Sequence, residues 1–185
     1  MSSKIPVTDA ETFKSFLPFV SDWDRKKNIS YHLQYIEFLY KAKQIHEPEH
    51  TTLSLLNKTI IIEYFTVIEA ILDALVCQLR VQVSDGESVP IEIDEYTPAG
   101  RLLEFAKKYR VIDSDTHSQL GQIKDTRNRI HIKRSRAKQR LEYLEYDDEL
   151  LNEREKVFER FITFLLGKYE VANARHYPWP WKIKA

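Results

Sequence analysis

The stretch Ile60-Ile-Ile-Glu-Tyr-Phe-Thr-Val-Ile-Glu-Ala-Ile-Leu-Asp-Ala-Leu-Val-Cys-Gln-Leu79 decides the fold. Phe65, Ile68, Leu72, Leu75, Val76 and Leu79 recur at steps of three and four residues, the spacing that lines up side chains on one side of an α-helix. No glycine or proline interrupts the pattern, which predicts one long helix from Thr52 to about Val83. Glu63, Glu69, Asp73 and Gln78 lie inside the run. Charges at a bilayer centre are costly, so the expectation is a helix buried in a protein core and no membrane span.

Working outward toward the N-terminus, Thr8-Asp-Ala-Glu11 has the form of a capping box and predicts a short helix ending near Pro18. Asn28 is a candidate cap for a second helix, with Tyr31, Leu33, Tyr35, Ile36, Phe38, Leu39 and Ala42 as a broad apolar face reaching about Ile45. Toward the C-terminus, residues 84–96 read as a loop. Thr97-Pro98 reads as a cap followed by proline at the first position of a helix that runs to about Tyr109. Asp113 or Ser114 caps the next helix, and a last one covers roughly Asp148 to Ala174, striped by Val157, Phe158, Phe161, Ile162, Leu165 and Leu166. The expected fold is all-α: an up-and-down bundle of five to six helices over 51–174, an N-terminal helical extension over 1–50 packed on it, and a Pro/Trp-rich tail over 175–185.

Composition agrees. A chain of 185 residues, 43% hydrophobic and 30% charged, is long enough to bury a core and too apolar to be disordered. Four glycines are few for a turn-rich β fold. Lys+Arg and Asp+Glu balance at 28 each, so contact with nucleic acid requires a local basic patch. One cysteine, Cys77, sits in the apolar run and reads as a small core residue. With no apolar leader after Met1, a reducing, cytoplasmic setting is the expectation.

Chemistry concentrates in Gln122-Ile-Lys-Asp-Thr-Arg-Asn-Arg-Ile-His-Ile132. On a helix, Arg127 and His131 lie one turn apart, on the side that also carries Leu120, Ile123 and Ile130. A guanidinium and an imidazole in an apolar stripe need a reason: a satisfied core network, a subunit interface, or a site for phosphate. An arginine followed by asparagine, with a histidine on the same helix, set behind the amphipathic helix Leu102–Tyr109 and the Val111-Ile112-Asp113 connection, resembles the signature of the HEPN superfamily. The helix with Glu63 and Glu69 resembles that family's first core helix, and the likeness covers roughly residues 52–170.

The resemblance implies a HEPN-like bundle and a homodimer in which two signature helices form one composite site. It also implies a metal-independent endoribonuclease without cofactor, acting in a defence, toxin–antitoxin or stress setting, with RNA and a protein partner or antitoxin as its contacts. His131 would then move a proton near neutral pH, Arg127 would hold the phosphate through its planar fork, and Asn128 would position the pair. Glu69, at the edge of its stripe, is the acid expected to orient them. Three residues separate Arg127 from His131, fewer than in the family's catalytic members; a longer spacing would make Lys124 the cation. Members without nuclease activity serve as dimerisation, partner-binding or RNA-binding modules, which is the competing expectation.

Lys124, Arg127, Arg129, Lys133, Arg134, Arg136, Lys138 and Arg140 surround one acid, Asp125, and form a candidate RNA-contacting surface. Of these, Lys124, Arg129, Lys133 and Arg134 lie nearest the signature. The acidic run Glu142 to Glu149 that follows allows the plainer reading of a solvated, mutually balanced stretch. His46-Glu-Pro-Glu-His50 matches the zinc-protease pattern H-E-x-x-H, but Pro48 opposes the helix that such a site needs, so it reads as a polar connection and no metal site is expected.

Overall fold

The computed structural model describes residues 5–83, 97–128 and 145–169. Among these, six α-helices and no strands are found: α1 Ala10–Ser15, α2 Trp23–His46, α3 His50–Val83, α4 Ala99–Lys108, α5 Ser114–Asn128 and α6 Asp148–Lys168. The protein is an all-α helical bundle. The expected loop over 84–96, the tail over 175–185 and most of the paired basic and acidic runs lie outside the described residues.

Helix starts differ from the sequence expectation. The cap of α1 is Asp9, whose carboxylate accepts from the Glu11 backbone N–H at 3.1 Å. Thr8 is diverted: its N–H and hydroxyl both donate to the buried Glu37 of α2, at 2.7 and 3.0 Å. α1 stops at Ser15, ahead of Pro18. Asp22, not Asn28, caps α2 by accepting from Arg25 N–H at 2.8 Å, so that helix begins at Trp23 and Asn28 lies within it. Pro98 occupies the cap of α4 and Ala99 the first helical position. Asp113 caps α5 through the Thr116 N–H at 2.7 Å, and Asp147 caps α6 through Leu150 N–H at 2.8 Å. At the other end of α2, Glu47 turns left-handed (φ 42°) and Pro48 follows, so His46 and His50 fall on different helices. α6 ends at Lys168, short of Ala174.

α3 is the axis of the bundle, packing against α2, α4, α5 and α6. α2 runs antiparallel to it, as Arg25–Asp73, His32–Glu63 and Lys43–Asn57 contacts descend along one helix and ascend the other. α4 and α5 form an antiparallel hairpin through Glu104–His117, and α6 packs on α5 through Thr126–Arg154. One core joins Phe13, Leu17, Leu33 and Ile36 from the first 50 residues with Tyr64, Ile68, Leu103, Ile123, Phe158 and Phe161. Cys77 is only half-buried, with its thiol 3.9 Å from an Asp73 oxygen.

The broad apolar face expected for α2 divides in two. Leu33, Ile36 and Leu39 are buried against α3, whereas Tyr31, Tyr35, Phe38 and Ile45 project to solvent on the other side. A helix flanked by one core cannot bury residues all around its circumference, and here the bulkier set is the one left outside.

A polar joint closes the end of the bundle where α2 leads into α3. Asn57, fully buried, donates to the Tyr146 carbonyl (3.0 Å) and to Asp148 (2.9 Å), and accepts from Lys43 (3.0 Å). Lys43 also bonds Asp148 at 2.5 Å. That hydrogen bond holds the Asp148 carboxyl below its ordinary range, burial opposes it, and Asn57 helps. Asn57→Leu removes the amide that donates to the Tyr146 carbonyl and to Asp148, and the expected loss is about 1–3 kcal/mol of unfolding free energy in urea titrations. An unshifted midpoint would show that the joint is dispensable. A depressed carboxyl stabilises above its unfolded pKa, so this joint weakens as pH falls through the carboxylate range.

Candidate functional site

α5 presents three kinds of side chain. Leu120, Ile123 and Thr126 face the core at three-residue steps. Arg127 sits at their edge, half-buried, and Asn128, the last described residue of α5, is exposed. Thr126 was not foreseen as a core residue. Its hydroxyl donates to the Gln122 carbonyl (2.8 Å) and accepts from Arg154 Nε of α6 (3.1 Å), while Arg154 also reaches the Gln122 side chain at 3.3 Å. These bonds fix the rotation of α5 about its axis and so decide where Arg127 points.

Arg127 is directed at α3. Its guanidinium carbon stands 5.6 Å from the centre of the buried Phe65 ring, a cation–π arrangement, and one of its N–H groups donates to the Asn128 side-chain oxygen at 3.4 Å. One turn beyond Phe65 on α3 lies Glu69. Burial pushes the Glu69 carboxyl above its ordinary range, the nearby Arg127 charge pulls it back, and Asp73 adds to the rise. Arg127 and Glu69 therefore sense one another electrostatically. Among the described residues, however, Arg127 forms no ion pair: its recorded partners are Asn128 and the Phe65 ring. Among the described residues the guanidinium is held by a ring and an amide oxygen, with Glu69 as the acid that senses its charge.

Lys124 takes another direction. Its Nζ lies 3.9 Å from where a Cβ on Gly100 of α4 would stand, and 3.8 Å from an Asp125 oxygen. Arg127, Asn128 and Glu69 are thus brought together at the α3–α5 junction, and Lys124 lies toward α4. His131, Arg129, Lys133 and Arg134 lie outside the described residues. His117 is not freely exposed: its ring is paired with Glu104 at 3.0 Å.

Sequence reasoning missed three polar clusters, because each takes at least one partner from a segment distant in the chain. They are Glu37 with Thr8 and Lys41, Asn57 with Lys43 and Asp148, and the phenols of Tyr40 and Tyr64, 2.8 Å apart beside the buried Glu155. Their one legible signal is a polar residue within an otherwise apolar helical face. No described helix is long and apolar enough to cross a membrane. No protein-family model, curated protein or solved structure matches this chain.

Proposed function

We propose that this chain is a HEPN-like protein that engages RNA beside Arg127 of α5, with Arg127 binding phosphate, Asn128 beside it, and His131 as the acid/base of a metal-independent cleavage. The observation that carries the reading is the guanidinium of Arg127, set over Phe65 within the field of Glu69 and in no ion pair among the described residues. A cation held in place but not paired is the state in which a phosphate oxygen gains most from binding it, because no existing ion pair has to be broken first. Support for the family comes from the helix order, with the signature helix α5 packed on the long α3. Arg129, Lys133 and Arg134, following in sequence, would extend the basic track along the RNA backbone. A cytoplasmic homodimer working in defence, toxin–antitoxin or stress control, with a protein partner or antitoxin, belongs to the same proposal.

The second reading, a non-catalytic dimerisation, partner-binding or RNA-binding module, is favoured by a different feature: Arg127 packs its charge on an aromatic ring of the core, which suits a structural bolt between α5 and α3. The test is cleavage of a mixed RNA pool by the purified full chain in EDTA. The nuclease reading expects cleavage that persists in chelator, leaves 2′,3′-cyclic phosphate ends and vanishes in His131→Ala. RNA left intact under every condition, yet bound in a salt-sensitive manner, would move the conclusion to the module. Intact RNA with no binding would end both RNA readings.

A further inference from the structure

The outer side of α6 takes no part in the site described above. Lys156, Arg160, Phe164 and Lys168 follow one another at four-residue steps, so cations and a ring form one row along the helix. With Glu159 and Gly167 they line an open groove of about 690 Å³. Small-molecule sites span roughly 300–1,000 Å³. We infer that this groove binds a nucleotide unit, with its phosphate on Lys156 and Arg160 and its base against Phe164 and over Gly167.

Charge selects the phosphate. Lys156 and Arg160 are exposed and in no ion pair among the described residues. They stand one helical turn apart, about 6 Å along the axis, so both can reach the oxygens of one phosphate group. Of the acids nearby, Glu153 lies 3.9 Å from Arg154, and the charge of Glu159 is felt by the phenols of Tyr40 and Tyr64. Lys168 has a different task. Its ammonium donates to the Arg110 carbonyl and, at 2.9 Å, to that of Val111, and it stands 5.9 Å from the centre of the Phe164 ring. Tied to the turn between α4 and α5, it closes one end of the groove.

Gly167 and Phe164 select the base. Gly167 lies within α6, where glycine is a poorer helix former than alanine. Its φ is not positive, and among the described residues no atom comes within 4 Å of where its Cβ would stand. Neither a turn nor a close contact therefore calls for glycine there. What the missing side chain leaves is room, beside a ring three residues back on the same side of the helix. Phe164 is half-buried, packed against the core yet part of the groove lining. A flat base stacks on such a ring and lies over the open position. An aliphatic carboxylate would use the two cations and leave the ring and the floor idle.

Calorimetric titration of the full chain with adenosine monophosphate, and separately with a short oligoadenylate, distinguishes a free nucleotide from one held in a strand. Adenosine measures the share of the phosphate. At least one of the two phosphate-bearing probes is expected to bind saturably, and adenosine at least about 10-fold more weakly. Lys156→Ala/Arg160→Ala is expected to weaken binding by about 10-fold or more, with unchanged circular dichroism because both side chains are exposed. Phe164→Leu keeps an apolar side chain against the core and weakens binding by about 5–100-fold. Gly167→Leu fills the floor and abolishes binding. Leucine favours the helix, so the urea midpoint of this variant does not fall, which separates a blocked groove from a broken fold. Arg127→Ala leaves all these differences in place, so the fate of the nuclease reading and that of this groove are decided separately. A chain that binds neither phosphate-bearing probe overturns the inference. So does binding that survives all three groove variants, or adenosine bound as tightly as its monophosphate.

Discussion

Under the proposed nuclease reading, Arg127→Ala is expected to lower kcat for RNA cleavage by about 10²–10³-fold, the range seen when one preorganised donor to a developing oxyanion is removed, while unfolding free energy changes by about 1 kcal/mol or less. The two numbers differ because the side chain's structural and chemical contributions differ. Structurally, Arg127 is half-buried, stacks on one ring at 5.6 Å and makes one long hydrogen bond. Chemically, it is the described cation on α5 that is held against α3 without a carboxylate partner in contact. Arg127→Lys separates charge from shape: an ammonium keeps the positive field but not the planar fork or the stacking on Phe65, so part of the loss remains. On the same proposal, in Glu69→Gln the guanidinium loses its electrostatic restraint and kcat is expected to fall. A mutant that melts early while its surviving folded fraction cleaves at the wild-type rate would assign Arg127 to the bolt between α5 and α3. Full cleavage at full stability would remove Arg127 from the site altogether.

Which parts of the molecule could be read in advance follows from where each residue's partners lie. The stripe of α3 is a local property, and a period of three to four residues without glycine or proline placed it to within two residues at its start. The capping box at Thr8 met every local criterion and failed because Glu37, twenty-nine residues along the chain, takes both of its donors. The first turn and a half of α2, Trp23 to Asn28, was hidden because its residues are polar on every side except Trp23. Exposed charges are compatible with a helix but do not announce one. Aromatic residues at 31, 35 and 38 suggested a core and instead mark an outer face, since pattern alone does not say which of two apolar sides of a helix meets the one available core. The same limit applies at the site. Leu120 and Ile123 gave the rotation of α5, but the Thr126–Arg154 bond that sets it depends on α6, twenty-eight residues away.

Raising the pH above about 10, where a free phenol ionises, is expected to destabilise the fold steeply. Tyr40 and Tyr64 share a hydrogen bond at 2.8 Å inside the core, with Tyr64 fully buried and stacked on Phe158 at 4.7 Å between centroids. Burial is the main cause that pushes both phenols well above their ordinary range. For Tyr40 the next cause is the Glu155 carboxylate; for Tyr64 it is Tyr40 itself, followed by Glu155. A phenol whose folded pKa is raised holds its proton when the unfolded chain has released it. Its contribution is complete below the unfolded pKa and is lost as pH climbs beyond it. Each such proton is worth about 1.4 kcal/mol per pH unit, so the pair removes up to about 2.7 kcal/mol per unit, or roughly 5 kcal/mol over two units. That is comparable with the whole stability of an ordinary domain of ~5–15 kcal/mol. Chemical denaturation across this range checks it against Tyr40→Phe/Tyr64→Phe. The double variant starts about 1 kcal/mol less stable at neutral pH, having lost the hydrogen bond, and then declines more slowly, so the two curves cross. Parallel curves would mean that the phenols ionise in place or that lysine titration dominates, and that Glu155 does not hold the pair neutral.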